Sequence, residues 1–389
     1  MSHLTTTVLG CVCLNGPLMS AEIRVAPSGD DQAAGTSEAP MRTMQAALDR
    51  AVAGDSVIVT KGIYLERVTL NKSGVEGKRI VVTASPRRSV ILEGVLITGS
   101  YITFQGFQIT NGFSTVVGEG IECKDGDCNE LLDNYIFEVQ RYGLESHGRN
   151  RVIGNKIHKI CQGLVASGKG YLIENNEISR IYNYGYLDGD YARFFGDDAI
   201  WRGNYFHGNL PNERAGHPDG FQTFDDNGDH VKNILFERNI VGNTIAATMI
   251  QSWYSRNSES LTFRNNVFFD MAQGINAGVP KCIVENNVFY NIRQYGIIGP
   301  NVAQRNNIFY NCKTASGSDY NLYYKVQQKK AGPTSLVDVD PLFVDAEHGD
   351  FHLKPGSPAI DAGDPTSPVP PGGGSRIDIG AFEFTSAAK

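Results

Sequence analysis

Several things are scarce in this chain of 389 residues. It has no apolar run of the about 18 residues that a membrane-crossing helix needs, which excludes a helical span. Charged residues make up only 20% and the net charge is −7, with no basic stripe, so a nucleic-acid surface is excluded as well. None of the seven Cys stands at zinc spacing with a His. Cys11 and Cys13 would leave with a cleaved leader, and Cys123 and Cys128 are close enough in sequence to close a small disulfide. Cys161, Cys282 and Cys312 share no phase and read as buried thiols. Helical periodicity is confined to 40–53, where Met44, Ala47, Leu48 and Ala51 are spaced for one face after Pro40.

What is abundant is a repeated phrase built on Asn. Asn134, Asn155, Asn176, Asn204, Asn239, Asn266, Asn287 and Asn307 each precede an apolar residue two places on. The steps between them are 21, 21, 28, 35, 27, 21 and 20 residues. A period near 21 is too short for a helical hairpin and fits one coil of a parallel β-helix. Asn tolerates the left-handed backbone that a tight corner demands, and stacked amides can bond up the column. The apolar followers, Ile136, Ile157, Ile178, Phe206, Val241, Phe268, Phe289 and Phe309, predict an inward column. Two places before the Asn run Glu174, Arg202, Glu237, Arg264, Glu285 and Arg305. Their sign alternates at every coil, which predicts an outward register device rather than catalytic groups. Arg238 stands where Asn or Gly usually precedes the ladder residue, and the sequence supplies no reason for it.

The predicted order is a possible export leader over 1–21, a strand and amphipathic cap over 22–53, coils over 54–312 and a closing segment over 313–389. The cap covers one open end of the stack, and the Pro- and Gly-rich tail is expected to close the other. The fold class is all-β, a single-stranded parallel β-helix.

The opening GDSVIVTKGIY at 54–64, after the TSEAP run at 36–40, resembles secreted bacterial right-handed β-helix proteins of the pectate-lyase-like superfamily. The tail DPLFVDAEHGDFHLKPGSPAIDAG with DIGAFEF is similar to the end of many of them. The resemblance spans nearly the whole chain and implies a right-handed coil and a secreted or periplasmic protein. That superfamily holds lyases, hydrolases, epimerases and non-catalytic binders. The catalytic Lys and Arg pair of its alginate and dermatan lyases has no residue-by-residue match here.

The long steps point to a site. Those ending at Asn204, Asn239 and Asn266 exceed 21 residues by 7, 14 and 6 and are consecutive, so their extra loops lie side by side. Each coil also carries a Gly before an apolar residue, as in Gly143-Leu144, Gly163-Leu164, Gly185-Tyr186 and Gly220-Phe221. Residues flanking these pairs predict two outward columns. One holds Tyr142, Gln162, Tyr184, Asp219, Gln273 and Tyr295, and the other holds Glu145, Val165, Leu187, Gln222, Asn276 and Ile298. Rings beside amides and carboxylates suit a sugar, which has apolar C–H faces and a hydroxyl rim. The candidate catalytic residues are His217, Asp219, Asp190, Arg193 and Tyr191. Candidates for substrate binding are Gln222, Tyr184, Asp188, Arg214, Trp253, Tyr254 and Glu145.

Three functions fit. A lyase acting on a uronate polymer needs Arg193 or Arg214, with Gln222 or a calcium ion on Asp190 and Asp219, to neutralise the carboxylate, and His217 or Tyr191 as base. A glycoside hydrolase would pair Asp219 with Asp188 or Asp190 as acid and base. A non-catalytic carbohydrate binder would use the same groove. The abundance of Asp favours the hydrolase, while the frequency of lyases in the superfamily it resembles and the presence of His217 favour the lyase, which leads. Calcium is the one possible cofactor, and Asp225, Asp226, Asn227 and Asp229 resemble half a calcium loop. A polysaccharide is the expected partner, and the chain is expected to act as a monomer.

Overall fold

A computed structural model describes residues 20–111, 118–182, 189–209, 217–224, 230–251, 257–299 and 302–385. The chain winds as a right-handed parallel β-helix with three strands to a coil. One full coil is Arg151–Ile153, Lys156–Ile160 and Gln162–Ser167. The next stacks on it in parallel through Leu172–Glu174, Glu177–Ile181 and Ala192–Phe194. Pairing continues to Leu336–Val337, beyond position 312.

The ladder forms at the corner between the first and second strands. Asn134 Nδ2 donates to Asn155 Oδ1 at 3.0 Å, and the same bond repeats through Asn176, Asn204, Asn239, Asn266, Asn287 and Asn307. It runs one rung further than the repeat suggested, to Asn321. Every amide also bonds backbone groups, so these buried polar side chains are satisfied. The left-handed residue is not the ladder Asn but the one before it. Asp133, Gly154, Asn175, Gly203, Arg238, Asn265, Asn286 and Asn306 all have φ between 53° and 68°. That accounts for the preference for Asn, Asp and Gly there, and Arg238 occupies the same strained corner at φ 55°.

The apolar followers line the core. Phe268, Phe289, Phe309 and Tyr323 stack face to face with centroids 5.0–5.3 Å apart, each contact worth about 1 kcal/mol beyond burial. The alternating stripe also forms: Glu237 lies between Arg202 at 2.5 Å and Arg264 at 2.7 Å, and Glu285 meets Arg305 at 2.9 Å.

The cap helix, Met44–Arg50, is shorter than its pattern. Met41 is used as a strand beside Val25, and Thr43 then caps the helix by accepting from the Ala46 N–H. The tail departs from expectation more. It folds back along the flank of the last coils and places Phe343, Phe351, Leu353 and Ile379 over Val267, Val288, Ile308 and Leu322. The reason is legible afterwards. The position following the ladder Asn is Lys156 or Glu177 in early coils and turns apolar from Ile240 onward, so that flank needs cover. Asn286 Nδ2 and the Gly380 N–H pin the tail by donating to Asp378 O and Asn306 O.

The Cys123–Cys128 disulfide does not form. Cys123 faces the core, where its Sγ accepts from Asn129 Nδ2, while Cys128 sits at an outer turn against Arg149. Cys161, Cys282 and Cys312 are buried thiols, and burial pushes Cys282 up to about 11 and Cys312 up to about 12.

Candidate functional site

The third strands of successive coils form one sheet. Tyr142–His147, Gln162–Ser167, Ala192–Phe194, Asp219–Phe224 and Ala246–Gln251 lie side by side. The surplus residues of the long coils fall at the two ends of these strands, between Ile181 and Ala192, His207 and Asp219, Phe224 and Val231, and Gln251 and Glu259. The site expected from the long coils thus falls on the outer face of this sheet.

Register corrects one rung of the expected columns. In the coil between Gln162 and Asp219 the flanking residues are Asp190 and Arg193, not Tyr184 and Leu187. Tyr191 occupies the place of the glycines. Most coils need glycine there because the next coil passes close: a Cβ on Gly163 would lie 2.1 Å from the Tyr191 carbonyl oxygen. The ring of Tyr191 points inward, fully buried, and stacks on Phe206 at 5.7 Å. Tyr191 is thus a core residue and not a base facing substrate.

Asp190, Arg193, His217, Asp219 and Gln222 come together on two adjacent rungs. Arg193 donates to Asp190 Oδ2 from Nε at 2.8 Å and Nη2 at 2.7 Å. Asp190 Oδ1 accepts the Asp219 N–H at 3.1 Å. Gln162, one rung back, brackets the Asp190 backbone, accepting its N–H at 3.3 Å and donating to its carbonyl at 3.1 Å. Arg193 and Gln222 are direct neighbours across the strands, and the guanidinium lies 5.6 Å from the Phe224 ring. His217 Nδ1 is 3.4 Å from Asp219 Oδ2. Asp190 and Asp219 are fully buried, while the His217 side chain is 48% exposed. Gln222 is buried, and its Oε1 has no hydrogen-bond partner among the described residues.

Two further groups flank this centre. Glu145 lies two rungs before Arg193 in the same outward column, roughly 10 Å away. Burial, then the charges of Glu119 and Glu122, push it up to about 7. Tyr295 lies on the other side. Burial, with the Asp219 carboxylate adding to it, raises its pKa and holds the hydroxyl protonated. Tyr295 was not among the candidate site residues, although its place in the outward column was visible. Gln162 and Phe224 were not among the candidates either, although Gln162 stands in the expected outward column and Phe224 lies two residues after Gln222.

Tyr184, Asp188, Arg214, Trp253 and Tyr254, and the acidic run at 225–229, lie outside the described residues. Among the described residues no three His, Cys, Asp or Glu side chains cluster as a metal site, and Asp190 already has both oxygens occupied. The described residues alone do not make a calcium site.

Comparison with known proteins places the chain in a family. A stretch of 85 residues is 35% identical to pectate lyase PEL9 of Emericella nidulans and covers 21% of each chain. The match thus spans about a fifth of that curated relative's length. The crystal structure of pectate lyase Pel9A aligns over 94% of this chain and 96% of its own, with a TM-score of 0.53 at 18% identity. XylC in complex with xylose aligns over 83% and 87%, with a TM-score of 0.59 at 12% identity. At such identities the two structures establish a common fold. Residues 23–328 match the family model described as "Pel9A-like, right handed beta helix region", and the chain therefore belongs to the Pel9A-like right-handed β-helix family.

Proposed function

We propose that this protein is a polysaccharide lyase that cleaves a uronate-containing polymer by β-elimination in the groove over Ala192–Phe194 and Asp219–Phe224. The observation that carries the reading is a buried Asp190–Arg193 pair and an Asp219–His217 pair on neighbouring rungs of one outer face. Arg193, oriented by Asp190, and Gln222 beside it take the uronate carboxylate, which makes the adjacent C5 proton more acidic. His217, oriented by Asp219, removes that proton. The electron pair of the C5–H bond becomes the C4=C5 double bond and the C4–O4 bond breaks. The proton held by His217 then passes to the departing oxygen. Polymers of this kind lie outside the cell, and we place the protein there too.

The hydrolase reading is weaker on the same geometry. Asp190 gives its oxygens to Arg193 and the Asp219 amide, so among the described residues it is not a free acid to face Asp219 across a glycosidic bond, and Asp188 lies outside them. Incubation with polygalacturonate tests the choice. A lyase yields an unsaturated product that absorbs in the ultraviolet, and His217→Ala removes it. Reducing ends without that absorbance would mean hydrolysis, and binding without either would mean a carbohydrate-binding protein.

A further inference from the structure

A second cleft lies on another flank of the stack, where the tail turn Ala346–His348 meets the outer face of the second strands. Its volume is about 490 Å³, within the roughly 300–1,000 Å³ typical of small-ligand sites. The outward column here runs Ser179, His207, Gly242, Phe269 and Tyr290. The Phe269 ring folds across Gly242, where a Cβ would lie 2.1 Å from it. Gly208, at the neighbouring left-handed turn, brings no side chain to the lining.

The walls are aromatic and the rim is polar. Tyr205 stacks on His207 with centroids 4.0 Å apart and stays 40% exposed. The rim consists of left-handed turn residues, Asn243, Asp270 and Asn291, with φ of 57°, 53° and 56°. Asn291 Nδ2 donates to Asp270 Oδ1 at 2.8 Å. Among the described residues, neither Asp270 Oδ2 nor the exposed Asn243 side chain has a hydrogen-bond partner. The turns need only residues that tolerate this backbone. They do not need an exposed ring pair beside unpaired polar groups.

That pairing matches a pyranose, whose C–H face lies on a ring while its hydroxyls reach amide and carboxylate. Charge narrows the class. Asp270 and Glu347 line the cleft, and its two imidazoles are already paired, His207 with Glu177 at 3.3 Å and His348 with Asp345 at 2.8 Å. The cleft is acidic and repels uronates. We infer that it is a second saccharide-binding site, taking an uncharged pyranose unit and separate from the groove. It rests on none of the steps of the elimination.

Affinity electrophoresis through gels containing galactan, arabinoxylan, glucomannan or xyloglucan tests it. At least one of these neutral polymers should retard the protein. Tyr205→Ser and Asn243→Gly should each weaken the retardation at least fivefold and leave lyase turnover unchanged, while His217→Ala should be retarded as fully as the parent. Glycine suits the left-handed turn at 243, so that variant separates lost binding from lost folding. The site is refuted if no polymer retards the protein, if both flank variants are retarded like the parent, or if His217→Ala abolishes retention.

Discussion

The ladder corner and the groove are built on the same coils and follow opposite rules. At the corner nine successive rungs carry Asn, from Asn134 to Asn321, and each of the first eight donates to the next. On the groove the equivalent positions read Tyr142, Gln162, Asp190, Asp219, Ala246, Gln273 and Tyr295. Stacking favours repetition, because each rung completes the bonding of the next. A rung that departs from its neighbours needs another reason. Fully buried carboxylates at Asp190 and Asp219 are poor choices for stability, since charges are costly to take out of water even when paired. Their neighbours in the column show that Gln or Ala can hold the same place.

The contrast can be broken first at the groove. His217→Ala and Asp219→Asn should each lower turnover about 10³-fold, the scale of a lost general base, with urea unfolding within about 1 kcal/mol of the parent. Loss of stability in step with activity would make these residues structural. Asn239→Ala should do the reverse. Its amide bonds Trp201 O at 2.9 Å and Asn266 Oδ1 at 3.0 Å, and accepts from Asn204 at 2.9 Å. Its removal should cost about 3 kcal/mol in urea unfolding and leave the activity of the folded fraction intact.

A smaller effect sharpens the groove's electrostatics. The raised value of about 7 for Glu145, against an ordinary 4.5, means that the fold favours its protonated form. The associated stability is complete below pH 4.5 and is lost as pH rises through about 7. Glu145→Gln should remove that decline and be more stable by about 2 kcal/mol above neutrality, a figure reduced for partial exposure. Equal pH profiles for both proteins would contradict the assignment. Least of all, Arg264→Ala should cost about 1 kcal/mol, less at high salt, with turnover unchanged.

Repetition also decided what could be read from the sequence. The ladder, the aromatic core column and the Glu–Arg stripe were legible because each recurs many times at one phase. The corner conformation was misplaced by one residue, since Asn is common both at the strained position and at the ladder position beside it. That Asp190, Arg193, His217, Asp219 and Gln222 meet on neighbouring coils was legible through three overlong steps, their exact rungs less so. Tyr191 in the glycine column breaks the pattern that would have aligned Asp190 and Arg193, and a matching Gly185 upstream supplied a false register. The tail's course was hidden because it depends on which outward positions turn apolar late in the stack, a gradual change along Lys156, Glu177, Ile240 and Val267.

The most direct measurement is ultraviolet absorbance during digestion of polygalacturonate by the parent protein and by His217→Ala. A rise from the conjugated product with the first and none with the second is the predicted result. New reducing ends with flat absorbance, or an equal rise from both proteins, would contradict elimination at this groove.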